Sequence, residues 1–480
     1  MEVKSSSVLY DPLYGYIKLT KVEREILASP FYQRLRFIKQ LGFSYYLFPG
    51  AEHSRFGHSV GVMHNAHLIL KSCKRAVSDQ QLFDKNFNSP EKEYHQAVRL
   101  GALMHDLGTF CYSHTTEMAY ISYGETTNDK KNSKALQDDH ENLGSFIIKN
   151  TDYDQGITKI LKNNNVNVQR ISDLVKGVDT SILANQILHS EIDCDRMDYL
   201  LRDAYYTGLK YGSYDRDYLL YHFRAANISG HDVLTIKHNA IRCIEDFLMA
   251  RFAWYSQVIR SSSGAKYDAV AEKITFYLLN NGMIFKYSDL LDMISTDAMK
   301  FYGFNDNYFM NKLHSYFIDG DLDKDPQIKD MAKCLLLGTG VRTIRCAELQ
   351  EKLLNQNEPD KNKKIFKKAK DKVEEISNYL KKHGKKSDWI ISDIPTKEIR
   401  FIKSKSRIIK SKENENILLE RDPVRIIFEN GDIKLLNDIE GSVLNNLQNV
   451  KNFIPNAYCS NSAFHLLISA GIIDDIKIPL

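Results

Sequence analysis

Apolar residues recur at three- and four-residue intervals through most of this 480-residue chain, and no strand-like alternation of any length interrupts them before about residue 390. Such spacing gives each helix one apolar face, and those faces must be buried against one another, so the fold is expected to be mainly α. One helix is expected over Lys21 to Ala28. After the Ser29-Pro30 break, Phe31, Leu35, Ile38 and Leu41 mark another over 31–41. Val60, Met63, His67 and Leu70 line one face of a helix over 55–75, and Tyr94 to His105 reads as an apolar helix ended by Gly108. Helical patterns resume from His140, from Ser181 to Tyr206 and from Ile241 to Arg260, while the polar stretch 122–139 reads as a surface loop.

Beyond residue 390 the pattern changes. Trp389 to Ile391, Ile399 to Ile402, Val424 to Phe428 and Ile433 to Leu435 have the look of short strands, with Glu429-Asn430-Gly431-Asp432 as a hairpin turn between the last two. The expected organisation is a helical domain over residues 1–345 and a smaller α+β lobe over 346–480, with the boundary somewhere between 340 and 395. Between Lys361 and Lys386 eleven lysines face three acids, so the net charge of +4 is concentrated there. Ile365, Ala369, Val373, Ile376 and Leu380 form an apolar stripe in the same segment, which predicts a helix docked by one face with solvated lysines. Lys403, Lys405, Arg407, Lys410 and Lys412 make a second basic run. Neither run is interleaved with aromatics in the manner of single-strand binding platforms, so nucleic acid is the lesser alternative as a partner.

Several classes are disfavoured. No apolar run approaches the roughly 18 residues that span a bilayer, and the start, Met-Glu-Val-Lys-Ser-Ser-Ser, lacks a secretory h-region. The seven cysteines are scattered without a Cys-x-x-Cys pair, which argues against a disulfide framework or zinc ribbon and for a reducing, cytoplasmic setting.

Four segments carry chemistry: Arg55-Phe56-Gly57-His58-Ser59, His105-Asp106-Leu107-Gly108, His114 with His140-Glu141, and Asp193-Cys194-Asp195-Arg196. A lone histidine is ordinarily a core or surface residue, and His64, His67 and His95 are read that way. His105-Asp106 differs because it ends an apolar helix, where both side chains can reach an ion just beyond the helix terminus. With His58 and Asp195 it makes a two-histidine, two-aspartate set suited to a divalent ion, Mn, Fe, Zn, Ni or Mg. Aspartates buried there would need a compensating positive charge, which an ion supplies.

The order His, His-Asp, Asp resembles the HD superfamily signature. The surrounding residues resemble, within it, the deoxynucleoside triphosphate (dNTP) triphosphohydrolases: the HD domain of the vertebrate SAM-and-HD-domain enzymes and its bacterial relatives, with no SAM domain expected ahead of it. The resemblance is carried by Tyr10-Asp11-Pro12-Leu13-Tyr14-Gly15, Gln33 to Gly42, Phe48-Pro49-Gly50-Ala51, Arg55-Phe56-x-His58-Ser59-x-Gly61-Val62 and Asp193-x-Asp195-Arg196-x-Asp198-Tyr199-x-x-Arg202-Asp203, over about residues 8–260. It implies an HD-domain helical bundle in which His58, His105, Asp106 and Asp195 hold the metal. His114 would be the acid or base near the scissile bond, with His140 its relay partner and Glu141 beside it. Gln40 and Asp203 would hold the sugar 3′-hydroxyl, Tyr199 would pack on the sugar, and Leu41 would crowd out a ribose 2′-hydroxyl. Arg55, Arg196 and Arg251 would bind phosphates. It further implies a deoxynucleotide substrate, an allosteric nucleotide and a homo-oligomer, dimer or tetramer. A triphosphate carries about four negative charges, which suits several guanidinium groups.

Three departures from the family pattern keep other readings open. Thr109 stands where a further histidine is usual; its hydroxyl could still bond phosphate. Ile259-Arg260-Ser261-Ser262 replaces a Tyr-x-His-Lys group, with Arg260 or Lys266 as candidate compensation, and Tyr255 stands in place of a substrate-side histidine. Ser7, Tyr10 and Ala28 replace activator-site residues while Gln33 and Arg36 remain, which argues against GTP activation. The alternatives are an HD phosphohydrolase or phosphodiesterase for another nucleotide, or a nucleotide-sensing or nucleic-acid-binding module with weak catalysis.

Overall fold

The computed structural model describes residues 8–126, 139–349, 353–355, 359–384, 391–393, 399–400, 423–443, 450–452 and 456–473. Trp389, Ile402 and the basic run from Lys403 to Lys412 lie outside the described residues, as does Ser7.

Helices dominate, in keeping with the apolar periodicity, and helices packed on one another form the bulk of the described chain. Six helices position the residues of interest: α1 (Arg55–Ser72), α2 (Pro90–Met104), α3 (His114–Thr126), α4 (His140–Asn150), α5 (Cys194–Thr207) and α6 (Asp306–Ile318). Their starts are written in the sequence. Ser89 and Pro90 open α2, the Ser89 hydroxyl accepting from the Lys92 amide, and the Asp193 carboxylate caps α5 by accepting from the Arg196 amide. Val60, Met63 and Leu70 of α1 are buried with Leu100, Leu103 and Met104 of α2 in one continuous core, and α5 packs across α1. None of the helices among the described residues is long and apolar enough to cross a membrane.

Four sequence readings change. The stretch 122–139, read as a surface loop, begins inside α3, which stays helical through Thr126. The expected helix over 31–41 ends at Phe37, and Ile38 turns extended. The Gln40 amide then donates to the His53 carbonyl and the Arg55 amide to the Ile38 carbonyl, local pairing that outcompetes another helical turn. The single helix read from Ser181 to Tyr206 is two, Ile182–His189 and α5, because the chain turns at Ser190 to present the Asp193 cap. The absence of strands before residue 390 is overturned by two hairpins, Val8–Asp11 with Gly15–Lys18 and Phe223–Ile228 with His231–Lys237.

The second hairpin turns at Ser229-Gly230, both left-handed, as a two-residue turn demands. It escaped notice because Val233, Leu234, Thr235 and Ile236 are all buried, and a strand covered on both faces shows no alternation. The expected Glu429–Asp432 turn is present, joining Arg425–Ile427 to Ile433–Leu435, and that hairpin extends the same sheet, Ile426 pairing in parallel with Ile236. Late residues thus complete a sheet begun two hundred residues earlier. The lysine-rich segment forms the helix Pro359–Lys382, with Ile365, Ala369, Ile376 and Leu380 buried.

Candidate functional site

Three segments distant in sequence converge where α1, the end of α2 and the start of α5 meet. His58 Nε2 lies 3.0 Å from Asp195 Oδ1 and 3.6 Å from Asp106 Oδ2. His105 Nε2 lies 3.5 Å from Asp106 Oδ2 and 3.7 Å from Asp195 Oδ1. The other nitrogen of each ring is committed: His58 Nδ1 pairs with Asp198 Oδ2 at 2.8 Å, and His105 Nδ1 donates to the Ala102 carbonyl at 2.8 Å. Both Nε2 lone pairs therefore face the two carboxylates, yet neither Nε2 makes an aligned hydrogen bond. Two buried, orphaned imidazole nitrogens aimed at two carboxylates fit a divalent cation, and His58, His105 and Asp195 offer ligand atoms within 4.8 Å of one another.

The electrostatics agree. Burial would raise the Asp106 carboxyl, but Arg55, with His105 and His58, holds it well below the usual range. Burial would lower His58, but Asp195 and Asp198 lift it to about 9, so this pocket draws positive charge.

The sequence reading assigned no role to Asp198, which orients the site. It bonds His58, receives both Arg202 Nε (2.8 Å) and Nη2 (2.9 Å), and is buried. Arg202 Nη2 also reaches Asp11 Oδ2 at 2.9 Å, tying the Tyr10-Asp11-Pro12 turn to the site. The available signal was the spacing Asp195, Asp198, Arg202, one helical face at three- and four-residue intervals. Gly61 allows the contact: a Cβ there would lie 1.9 Å from Asp198 Oδ1.

A second cluster adjoins the first. A Cβ at Gly108 would lie 2.2 Å from the His140 carbonyl, so glycine lets the start of α4 pack directly on the His105-Asp106 turn. Glu117 bridges two histidines there, its Oε2 2.6 Å from His114 Nδ1 and its Oε1 2.6 Å from His140 Nδ1. Burial would raise the Glu117 carboxyl, but His140 and His114 hold it well below the usual range; Glu117 in turn lifts His140 to about 9 against the pull of burial. Unlike the orphaned Nε2 atoms, these Nδ1 atoms are satisfied. Glu141 is exposed, and the carboxylate joining the histidines is Glu117, recognisable only as the residue one helical turn after His114. His114 itself keeps 60% of its side chain exposed.

The three arginines are ion-paired. Arg55 donates to Asp106 Oδ2 (2.6 Å) and Ser113 Oγ (3.0 Å), Arg196 to the Ser190 carbonyl (2.6 Å) and to Asp193, and Arg251 to Glu191. Asp203 Oδ1 pairs with His53 Nε2 at 2.8 Å, the ring of His53 stacking on Tyr206. Gln40 Oε1 and the Tyr199 hydroxyl are buried without a hydrogen-bond partner, and Leu41, next to Gln40, is half-buried. Arg251 and Tyr255 meet where the regular helix Ile241–Trp254 gives way to a wider turn over Tyr255–Ile259. Thr109 does not reach toward phosphate, because its buried hydroxyl donates to the Asp106 carbonyl at 2.7 Å. His67 and His95 are core residues paired at 2.9 Å, as read.

No family model matches the chain. It is 32% identical over 259 residues to the uncharacterised protein YwfO of Bacillus subtilis, covering 54% of this chain and 52% of that one. It is 22% identical over 367 residues to the human deoxynucleoside triphosphate triphosphohydrolase SAMHD1, covering 70% of this chain and 54% of that one. The chain thus spans about half the length of these relatives. Among solved structures, a phosphohydrolase of Bacteroides thetaiotaomicron superposes with a TM-score of 0.64 at 20% identity, covering 95% of this chain and 99% of that one. A hypothetical protein of Aquifex aeolicus superposes at 0.65 and 23%, covering 96% and 98%. The chain shares its fold with these solved structures. Its sequence is similar to those of proteins named dNTP triphosphohydrolases, at 29% and 22% identity.

Proposed function

We propose that the chain is a metal-dependent dNTP triphosphohydrolase that releases a deoxynucleoside and inorganic triphosphate. The observation that carries the reading is the pair of orphaned Nε2 atoms, His58 and His105, facing Asp106 and Asp195; Gln40 Oε1 and the Tyr199 hydroxyl are two further buried groups without partners. His58, His105, Asp106 and Asp195 would hold a divalent cation, which would supply an acidified water near neutral pH. Gln40 and Asp203 would receive the sugar 3′-hydroxyl and Tyr199 would pack on the sugar. Arg55, Arg196 and Arg251 would exchange their carboxylate partners in part for phosphate oxygens. Attack of the water oxygen on the α-phosphorus breaks its bond to the 5′-oxygen. His114, oriented by Glu117, would give that oxygen its proton, while His140 shares the Glu117 carboxylate from the other side.

A second reading, hydrolysis of a less highly charged nucleotide, is favoured by the carboxylates already on all three arginines and by Thr109 turning away. Pure protein is incubated with each dNTP, and separately with nucleoside monophosphates, in Mn²⁺ or Mg²⁺. Triphosphate from a dNTP, abolished by His105→Ala, supports the first reading; orthophosphate from a monophosphate, with no dNTP hydrolysed, replaces it with the second.

A further inference from the structure

Between the metal pair and His114 the chain takes an uncommon path. Tyr112 (φ 55°) and Ser113 (φ 61°) are consecutive left-handed residues, neither of them glycine, immediately before His114 opens α3. Such a backbone costs free energy and persists only where its surroundings impose it. The Tyr112 amide donates to Asp306 Oδ1 at 2.6 Å, and the other oxygen of Asp306, Oδ2, accepts from the Lys39 amide at 2.8 Å. Ser113 completes the junction, its hydroxyl donating to the Lys39 carbonyl at 2.6 Å and accepting from Arg55 Nε. On the opposite side the buried Arg34 donates to the carbonyls of Leu107, Thr109 and Phe304.

Asp306 is not capping its own helix. It is the first residue of α6, and the cap is Asn305, whose side chain accepts from the Asn307 amide. A carboxylate that is buried, remote in sequence and spent entirely on two backbone amides of the site must be explained by what those amides carry. One precedes Gln40; the other is two residues before His114.

We propose that Asp306 is a positioning residue, whose buried carboxylate holds the left-handed Tyr112-Ser113 turn and the Lys39 backbone so that His114 and Gln40 face the metal ligands. The proposal rests on the functional reading above for the part His114 plays. Asp306→Asn keeps the shape but sets an amide donor against one of the two backbone donors. Leu313→Ala, a core truncation in the same helix, serves as the control for stability alone.

Triphosphate release by the Mn²⁺-loaded full chain, a full pH profile of kcat and hydrogen exchange of the 108–116 and 37–41 peptides are measured for each. Asp306→Asn is expected to lower kcat about 10- to 100-fold, beyond any change in KM, and to alter the limb of the pH profile that His114→Gln removes. It is expected to speed exchange in at least one of the two peptides, whereas Leu313→Ala lowers the melting temperature without either effect. Equal kcat, pH profile and exchange in Asp306→Asn and wild type overturn the proposal, as does a loss matched by Leu313→Ala at equal stability. If the wild type hydrolyses no dNTP, the functional reading fails by itself and exchange decides the anchor: faster exchange upholds it, unchanged exchange removes it.

Discussion

Replacing Gly61 by alanine tests the support under the candidate metal site with a single methyl group. The new Cβ would lie 1.9 Å from Asp198 Oδ1, 2.5 Å from Arg202 Nη2 and 2.7 Å from Asp198 Cγ, distances no real contact reaches. Asp198 has nowhere to retreat, because Oδ2 is held by His58 Nδ1 and Arg202 Nε and the residue is fully buried. Gly→Ala inside a helix gains about 1 kcal/mol in propensity, while breaking a buried charge pair costs about 3–5 kcal/mol. The net expectation is a destabilisation of about 2–4 kcal/mol, with metal affinity falling about 10- to 100-fold as His58 loses its orienting carboxylate. Gly57→Ala, one turn earlier on the same helix, is the matched control, since its Cβ would lie 3.4 Å from Arg202 Nη1, an ordinary contact. Urea unfolding of the metal-free proteins and titration with Mn²⁺ read both quantities. A Gly61→Ala protein as stable as Gly57→Ala, with wild-type Mn²⁺ affinity, would falsify the arrangement.

Asp198→Asn should weaken Mn²⁺ binding about 10- to 100-fold with little loss of helix content; binding equal to wild type would show that Asp198 does not orient His58. Glu117→Gln should lower kcat about 100-fold and more than Glu141→Gln does; the reverse order would restore Glu141 as the partner of the histidines. The His140–Glu117 pair should also make stability depend on pH. His140 titrates at about 9 in the fold against about 6.5 free, so its contribution is complete below pH 6.5 and is lost as pH rises through 9. With a fifth of the side chain exposed, the loss is on the order of 2–3 kcal/mol, and His140→Gln should lack it. Parallel pH profiles of unfolding free energy for the two proteins would refute the pairing.

Much of the site was legible because its pieces are local. His105-Asp106 at the end of an apolar helix and Gly108 after the pair each advertise themselves within a few residues. So did the fold class, since a period near 3.6 survives in any helix with one buried face. Residues acting across the fold were not legible. Glu117, Asp198 and Asp306 look in sequence like any helical acid, and only their burial beside His114, His58 and the Tyr112 amide gives them a role.

The amino-acid order alone determined most of the helices and the His105-Asp106 pair at the end of one of them, because these depend on spacing along one chain; His58 and Asp195 were joined to that pair through the resemblance to a family. Tertiary structure alone decided which nitrogen of each histidine is left free, which acid meets each arginine, and that late residues complete the Phe223–Lys237 sheet. Those outcomes depend on which surfaces exclude water together, and a buried charge must find its partner in whatever segment packing brings beside it.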